Sequence, residues 1–341
     1  MKRMYVLTAI LLMVTLVAGT SDAQNRKAGI NSAAFLKIGV GARQVGLGSA
    51  VTSLTGDVTN MYWNPAGITL ATDQRAQAAF TYNKWFADLN QQAASISYNL
   101  EDVGTIGLGF MTFGLSGIPA DRDVYPGGSA ELRALEIDKV TSDTYDYRDM
   151  VLQVSYARAI TDQLSLGLSA KYISEKIDDK TATAVAFDFG SVYSIGILGW
   201  NIGARLSNLG SDMKFYDFAA PIPLTFSIGT SMTPLTDDMN SLMVTVDAVK
   251  PQDGLQYYFV GGEYTFMEMI SVRGGYKFNY SGVDDGGNSF SPAIKTTVES
   301  FTAGAGFMTK LSDYSIRVDY AFTKMDLVDS VHRITLSLGM K

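Results

Sequence analysis

Leu164-Ser165-Leu166-Gly167-Leu168-Ser169-Ala170-Lys171-Tyr172 is the stretch whose reading decides the fold. Successive side chains of a strand point to opposite faces, so the residues at Leu164, Leu166, Leu168, Ala170 and Tyr172 form one apolar face. Ser165, Gly167, Ser169 and Lys171 form a second face that is small and polar. The same alternation recurs in Leu198, Trp200, Ile202, Ala204 and Leu206, and in Tyr314, Ile316, Val318, Tyr320 and Phe322. It recurs once more near the end of the chain in Ile334, Leu336, Leu338 and Met340.

From about residue 75 onward, about fourteen such segments can be counted, starting near residues 75, 89, 103, 147, 163, 183, 198, 221, 240, 255, 269, 297, 311 and 328. Short polar links such as Thr161-Asp162-Gln163 and Thr236-Asp237-Asp238 separate many of them, whereas residues 117–145 and 282–296 make longer links. An even strand number with short turns on one rim and long loops on the other is the pattern of a transmembrane barrel. A soluble β-sandwich would use strands of about five or six residues. The long segments therefore favour an all-β, transmembrane antiparallel β-barrel of about fourteen strands. Its apolar face would meet outer-membrane lipid. Asp188, Arg205, Asp247, Glu263, Arg273, Lys277, Arg317, Asp319 and Arg333 all fall on the second face and are expected to line the lumen.

Composition agrees. Charged residues make up 18% of the 341, below the quarter usual for soluble domains, while 18 Tyr and 17 Phe suit strands with aromatic anchors. A net charge of −7 without a basic run argues against nucleic acid as a partner. With no cysteine and His332 as the only histidine, thiol metal sites are excluded and no residue set calls for a cofactor. A hydrolytic Ser/His pair would have to use His332, which reads as a rim residue of the last strand, so an enzyme is not expected.

Residues 1–23 read as a secretory signal peptide, with Lys2 and Arg3 before an apolar run from Tyr5 to Gly19 and small residues at Ser21 and Ala23. Fifteen helical residues rise only about 22 Å, short of a hydrocarbon core of about 30 Å, so the run is not read as a membrane span. Export to the cell outer membrane after cleavage before Gln24 is expected.

Residues 24–72 do not alternate. Asn31 or Ser32 is placed to cap a short helical turn through Ala33, Ala34, Phe35 and Leu36. Gly39, Gly41, Gly46 and Gly48 follow, in an order that fits no nucleotide-binding loop. Pro65 fixes a bend and pushes Asn64 away from helix, and the Asn64 amide can satisfy the backbone groups that the bend frees. Arg43 and Asp57 are candidate ion-pair partners for lumen charges.

Three ordered motifs stand in this segment: Phe35-Leu36-Lys37-Ile38-Gly39-Val40-Gly41-Ala42-Arg43, Gly46-Leu47-Gly48-Ser49-Ala50, and the run from Asp57 to Ile68 that contains Asn64-Pro65-Ala66. They resemble the N-terminal motifs of PorV/PorQ-type outer-membrane proteins, which are related to the FadL family of long-chain fatty acid transporters. The resemblance implies a fourteen-stranded barrel (residues 73–341) with residues 24–72 folded into the lumen as a hatch, on which Arg43, Asp57, Asn64 and Pro65 are the candidate ligand or hatch residues. It implies two functions. As a PorV-like component of type IX secretion, the protein would receive secreted cargo or other secretion components, with Asp121, Arg122, Asp123, Tyr125 and Pro126 of the 117–145 link as the candidate docking loop. As a FadL-like transporter, it would pass hydrophobic small molecules through an apolar pocket between hatch and wall. The secretion reading is the leading expectation, since the motifs lie closer to PorV/PorQ.

Overall fold

The computed structural model describes residues 31–69, 74–120, 144–254, 256–278, 299–325 and 328–341. Residues 1–23, read above as a signal peptide, residues 24–30, most of the 117–145 link and the 282–296 link lie outside the described residues. The strands are β1 (Ala76–Lys84), β2 (Asn90–Asn99), β3 (Thr105–Pro119), β4 (Thr144–Ala159), β5 (Leu164–Ile177), β6 (Lys180–Ser194) and β7 (Asn201–Gly210), then a two-stranded ribbon of β8 (Met213–Phe215) and β9 (Phe218–Ala220). They continue as β10 (Thr225–Thr236), β11 (Asn240–Pro251), β12 (Tyr257–Phe266), β13 (Ile270–Phe278), β14 (Glu299–Leu311), β15 (Tyr314–Met325) and β16 (Val331–Met340). All but the ribbon pair in chain order as antiparallel neighbours, and β1 pairs with β16 from Ala76↔Met340 to Lys84↔His332. The result is a closed barrel of fourteen strands, in which the ladder has no free edge.

The alternation sorts the side chains as the sequence implies. Leu166, Leu168 and Tyr172 of β5 and Val185, Phe187 and Phe189 of β6 are all exposed on the outer face. The apolar run of β5 spans residues 164–172, and at about 3.3 Å per residue with a tilt of about 40° it covers roughly 20–25 Å, the height of an outer-membrane apolar band. Above it the outward positions turn polar at Ser174 and Lys176. Tyrosines mark the borders. Near the short-turn rim, Tyr156 donates to the Val103 carbonyl (2.6 Å) and Tyr264 to Asn240 Oδ1 (2.5 Å). Near the long-loop rim, Tyr82 donates to Asn90 Oδ1 (2.7 Å), and Tyr320 bonds His332 Nδ1 (2.7 Å) on the outer face. Such phenols hold an apolar ring in lipid and a polar tip at its edge. Among the described residues no helix is long and apolar enough to cross a membrane; the strands do the crossing.

Six strand starts lie three or four residues from the sequence reading: β4 and β6 begin earlier, at Thr144 and Lys180, and β7, β10, β15 and β16 begin later. The segment assigned from residue 198 begins at Asn201, because Leu198 and Gly199 adopt left-handed φ of 54° and 59° in a turn. The segment assigned from 221 begins at Thr225, since Pro221 and Pro223 cannot donate to a ladder. The ribbon of β8 and β9 was not legible as alternation at all; strands of three residues are too short to show a period.

Residues 31–69 contain a 3-10 turn (Ala34–Lys37), one turn of α-helix, α1 (Ala42–Gly46), and two more 3-10 turns (Val58–Tyr62 and Pro65–Ile68). The expected cap at Asn31 or Ser32 is not made. Ala33 holds the cap position with φ 51° and no side-chain bond, while Ser32 Oγ donates to the Ala220 carbonyl (2.9 Å) and Ser32 N to that of Pro221 (3.0 Å). A tertiary contact with the 211–224 connection replaces the local cap.

Candidate functional site: the lumen

Inner-face residues right around the barrel hold residues 31–69. Val51 N and Thr52 N both donate to Asp247 Oδ2 (2.9 Å each), Ala42 N to Thr335 Oγ1 (2.8 Å), Gly48 N to Thr302 Oγ1 (3.0 Å), and Gln153 Nε2 to the Met61 carbonyl (2.7 Å). Asn64 is extended (φ −129°, ψ 113°), as the following Pro65 requires. Its Oδ1 accepts from Ala66 N (3.1 Å), and its Nδ2 donates to the carbonyls of Thr52 (2.6 Å) and Ser191 (3.1 Å). One amide thus ties two parts of the segment to β6.

The wall makes room with glycine. A Cβ at Gly167 would strike the Pro65–Ala66 backbone, at Gly190 the Asn64 amide, at Gly203 the Thr52 carbonyl, at Gly261 the Leu47 carbonyl and at Gly275 the Gly48 backbone. These glycines face one another across strand pairs: Gly167↔Gly190, Gly203↔Gly229 and Gly261↔Gly275. They form a seat in which backbone lies on backbone. Reasoning from the sequence credited the glycines of the segment and missed those of the wall. The signal was present, because each seat glycine falls on the inner parity of its strand.

Below the seat, towards the short-turn rim, Arg43 of α1 makes two bonds to Glu263 (Nε–Oε2 3.0 Å, Nη2–Oε1 2.7 Å). Glu263 is paired with Arg273, Arg273 with Asp319 (2.7 Å), Asp319 with Arg317 (2.8 Å), Arg317 with Asp57, and Asp57 with Arg43 (3.7 Å). Three cations and three anions alternate around a closed ring. Gly304 and Gly306 of β14 leave the space; a side chain at Gly306 would meet both Arg273 and Asp319. Burial opposes ionisation of Asp57, but Arg317 and Arg43 beside it win and hold its carboxyl well below the usual carboxylate range. Glu263 in turn raises the Arg43 guanidinium above its ordinary value, against the effect of burial.

Above the seat, towards the long-loop rim, a cavity of about 440 Å³ opens between residues 36–40 and the wall. Val40, Trp63, Met111, Val151, Val249 and Phe259 supply much of its apolar lining. Lys171, Arg205, Asn208, Lys277 and Glu299 supply polar groups, most of them matched within the wall. Lys171 pairs with Asp188 (2.5 Å) and donates to Asn208 Oδ1 (2.9 Å), and Lys277 pairs with Glu299. Arg205 lies over the Trp63 ring (5.5 Å) and donates to the Trp63 carbonyl (2.6 Å). Beside the cavity, Phe35 joins Met213, Ile222 and inner-face residues of β2 to β6 in an apolar cluster.

Of the residues singled out from the sequence, the structure brings Arg43, Asp57, Glu263, Arg273, Arg317 and Asp319 together in the ring. Asp247, Asn64 and Pro65 lie at the seat, Asp188, Arg205 and Lys277 lie at or beside the cavity, and Arg333 is buried with its guanidinium over Trp85 (5.3 Å). The candidate docking residues Asp121, Arg122, Asp123, Tyr125 and Pro126 lie outside the described residues. Cavity residues such as Met111, Val151, Val249 and Phe259 were missed, because alternation assigns a side chain to the lumen but not to a depth within it.

No protein-family model and no curated protein matches the sequence. Solved structures do match in fold. The toluene transporter TbuX of Ralstonia pickettii aligns at a TM-score of 0.56 and 13% identity over 89% of this chain and 98% of its own. The toluene transporter TodX of Pseudomonas putida aligns at 0.52 and 14% over 88% and 97%. A Pseudomonas aeruginosa FadL homologue aligns at 0.49 and 11% over 85% and 95%. The chain shares the closed fourteen-stranded architecture of outer-membrane transport barrels, and with its outward apolar band it is a barrel of the outer membrane.

Proposed function

We propose that this barrel passes small hydrophobic molecules across the outer membrane, and that they bind in the cavity between residues 36–40 and the wall. The cavity carries the reading. Its volume of about 440 Å³ lies in the range of small-molecule sites, and it joins an extensive apolar lining to a few fixed polar groups. That two solved barrels of similar fold are toluene transporters supports it. Residues 31–69 act as the hatch in this reading, with Arg43, Asp57, Asn64 and Pro65 holding it to the wall. Aromatic hydrocarbons and long-chain fatty acids are the substrate classes to try first.

The PorV/PorQ resemblance rests on the motifs of residues 35–68, and those residues do structural work at the seat and ring that a transporter needs equally. The docking loop that the secretion reading expects, in the 117–145 link, lies outside the described residues but for its ends, and no observation among the described residues favours that reading. The leading expectation from the sequence therefore gives way to its alternative.

Uptake of labelled toluene and labelled oleate by cells producing the protein tests the proposal. Wild type should take up at least one of them, and Val249→Trp, which fills the cavity from β11, should lower that uptake severalfold while the protein still shifts in mobility on boiling. Uptake of both no faster than in cells without the protein would reject transport, and unchanged uptake in a folded Val249→Trp variant would reject this cavity as the route.

A further inference from the structure

The cavity and the charge ring lie on the same two strands. Phe259 of β12 and Lys277 of β13 line the cavity; four residues nearer the short-turn rim, Glu263 and Arg273 belong to the ring. Between them Gly261 and Gly275 carry the Leu47–Gly48 backbone. Elsewhere the seat closes the lumen by contact, backbone on glycine. Across β12 to β15 six charges join the glycine contacts, and two of them, Arg43 and Arg317, keep about a fifth of their side chains exposed (20% and 21%).

We propose that this ring is the ion barrier of the barrel, and that the sign of its net charge sets which ions pass when it is broken. Intact, it has three arginines against three carboxylates, each charge already satisfied by neighbours of opposite sign. A permeating ion would have to displace one of them and gains nothing from a neutral ring. Removing one member leaves an uncompensated charge in the ring, and a ring of one sign selects the opposite ion. The inference does not depend on what the cavity binds, because it concerns inorganic ions only.

The test is planar-bilayer recording of the full mature chain under a KCl gradient. Wild type should stay closed. Asp57→Asn leaves three cations and two anions and should conduct with a reversal potential displaced towards the chloride equilibrium potential. Arg43→Gln leaves the opposite imbalance and should displace it towards the potassium potential. Arg43→Lys and Arg317→Lys keep the count and should remain closed. Mobility shift on boiling confirms that each variant is folded. If Asp57→Asn fails to fold, Glu263→Gln supplies the same sign. Loss of seating alone would open every variant with one common preference, so reversal potentials of the same sign in Asp57→Asn and Arg43→Gln would overturn the proposal. So would variants that are folded but no more conductive than wild type.

Discussion

At Phe259 and Lys277 the strands β12 and β13 face a cavity; at Glu263 and Arg273 they face a closed ring of charge. Both levels obey the same inward alternation, and both are met by the same inner segment. They differ in what the segment presents. Residues 42–69 lay backbone into a glycine seat and anchor it with Asp247, Asn64 and the ring. Residues 31–41 make fewer hydrogen bonds to the strands: Ser32 bonds Ala220 of the ribbon, Lys37 pairs with Asp253 of the β11–β12 turn, and the Ile38 carbonyl accepts from Gln91 of β2. Packed backbone seals a lumen, and side chains held apart by a thinner set of bonds leave a space. In the proposed function the short-turn half is the closure and the long-loop half the binding chamber.

The seat offers the strongest way to break this contrast. Gly275→Val drives a branched side chain into the Gly48 backbone and should cost about 3 kcal/mol or more, at the upper end of overpacking. Its neighbour Gly274 points outward with nothing within 4 Å, so Gly274→Val should stay within about 0.5 kcal/mol. Urea midpoints of the two variants in detergent decide the matter; equal losses would mean that the seat does not exist.

A smaller effect is expected at the ring. Asp57→Asn removes a charge-assisted hydrogen bond from Arg317 and an ion pair with Arg43 and should cost about 1.5–3 kcal/mol at neutral pH. Because the folded carboxyl is held below its ordinary value, its stabilisation is complete above the unfolded value of about 3.9 and is lost as pH falls towards the lower folded one. The gap between wild type and Asp57→Asn should thus be constant at neutral pH and shrink below about pH 4. A gap that closes near neutrality would show that Asp57 is not held by the two arginines.

The smallest effect belongs to the chamber. Val249→Leu adds one methylene towards the existing space and should change stability by less than about 1 kcal/mol, because the overpacking penalty applies only where no room exists. A loss as large as that of Gly275→Val would show that the chamber is as tightly packed as the seat.

Facing was legible because it is local: Leu166 and Gly167 differ in direction by the geometry of a strand, whatever lies around them. The same holds for Asn64, whose extended backbone follows from Pro65. The ends of elements were less so, as Leu198 and Pro221 show, since a turn or a proline interrupts alternation without erasing it. The cap expected at Ser32 failed for a different reason. Its hydroxyl found the Ala220 carbonyl, 188 residues away, a partner no local pattern could offer.

The sequence by itself determined that the chain is a barrel of even strand number with a polar lumen, because a period of two and the spacing of turns are properties of neighbouring residues. It also placed Arg43 and Asp57 among lumen charges. Only the tertiary structure decided that Arg43 joins Glu263, 220 residues on, while Arg317 reaches back 260 residues to Asp57. It likewise decided that Gly261 is a seat and Phe259, two residues away on the same face, lines a cavity. Direction is set by each residue's own backbone, but depth and partners are set by the register of fourteen strands closing around one segment, and that register exists only in the assembled barrel.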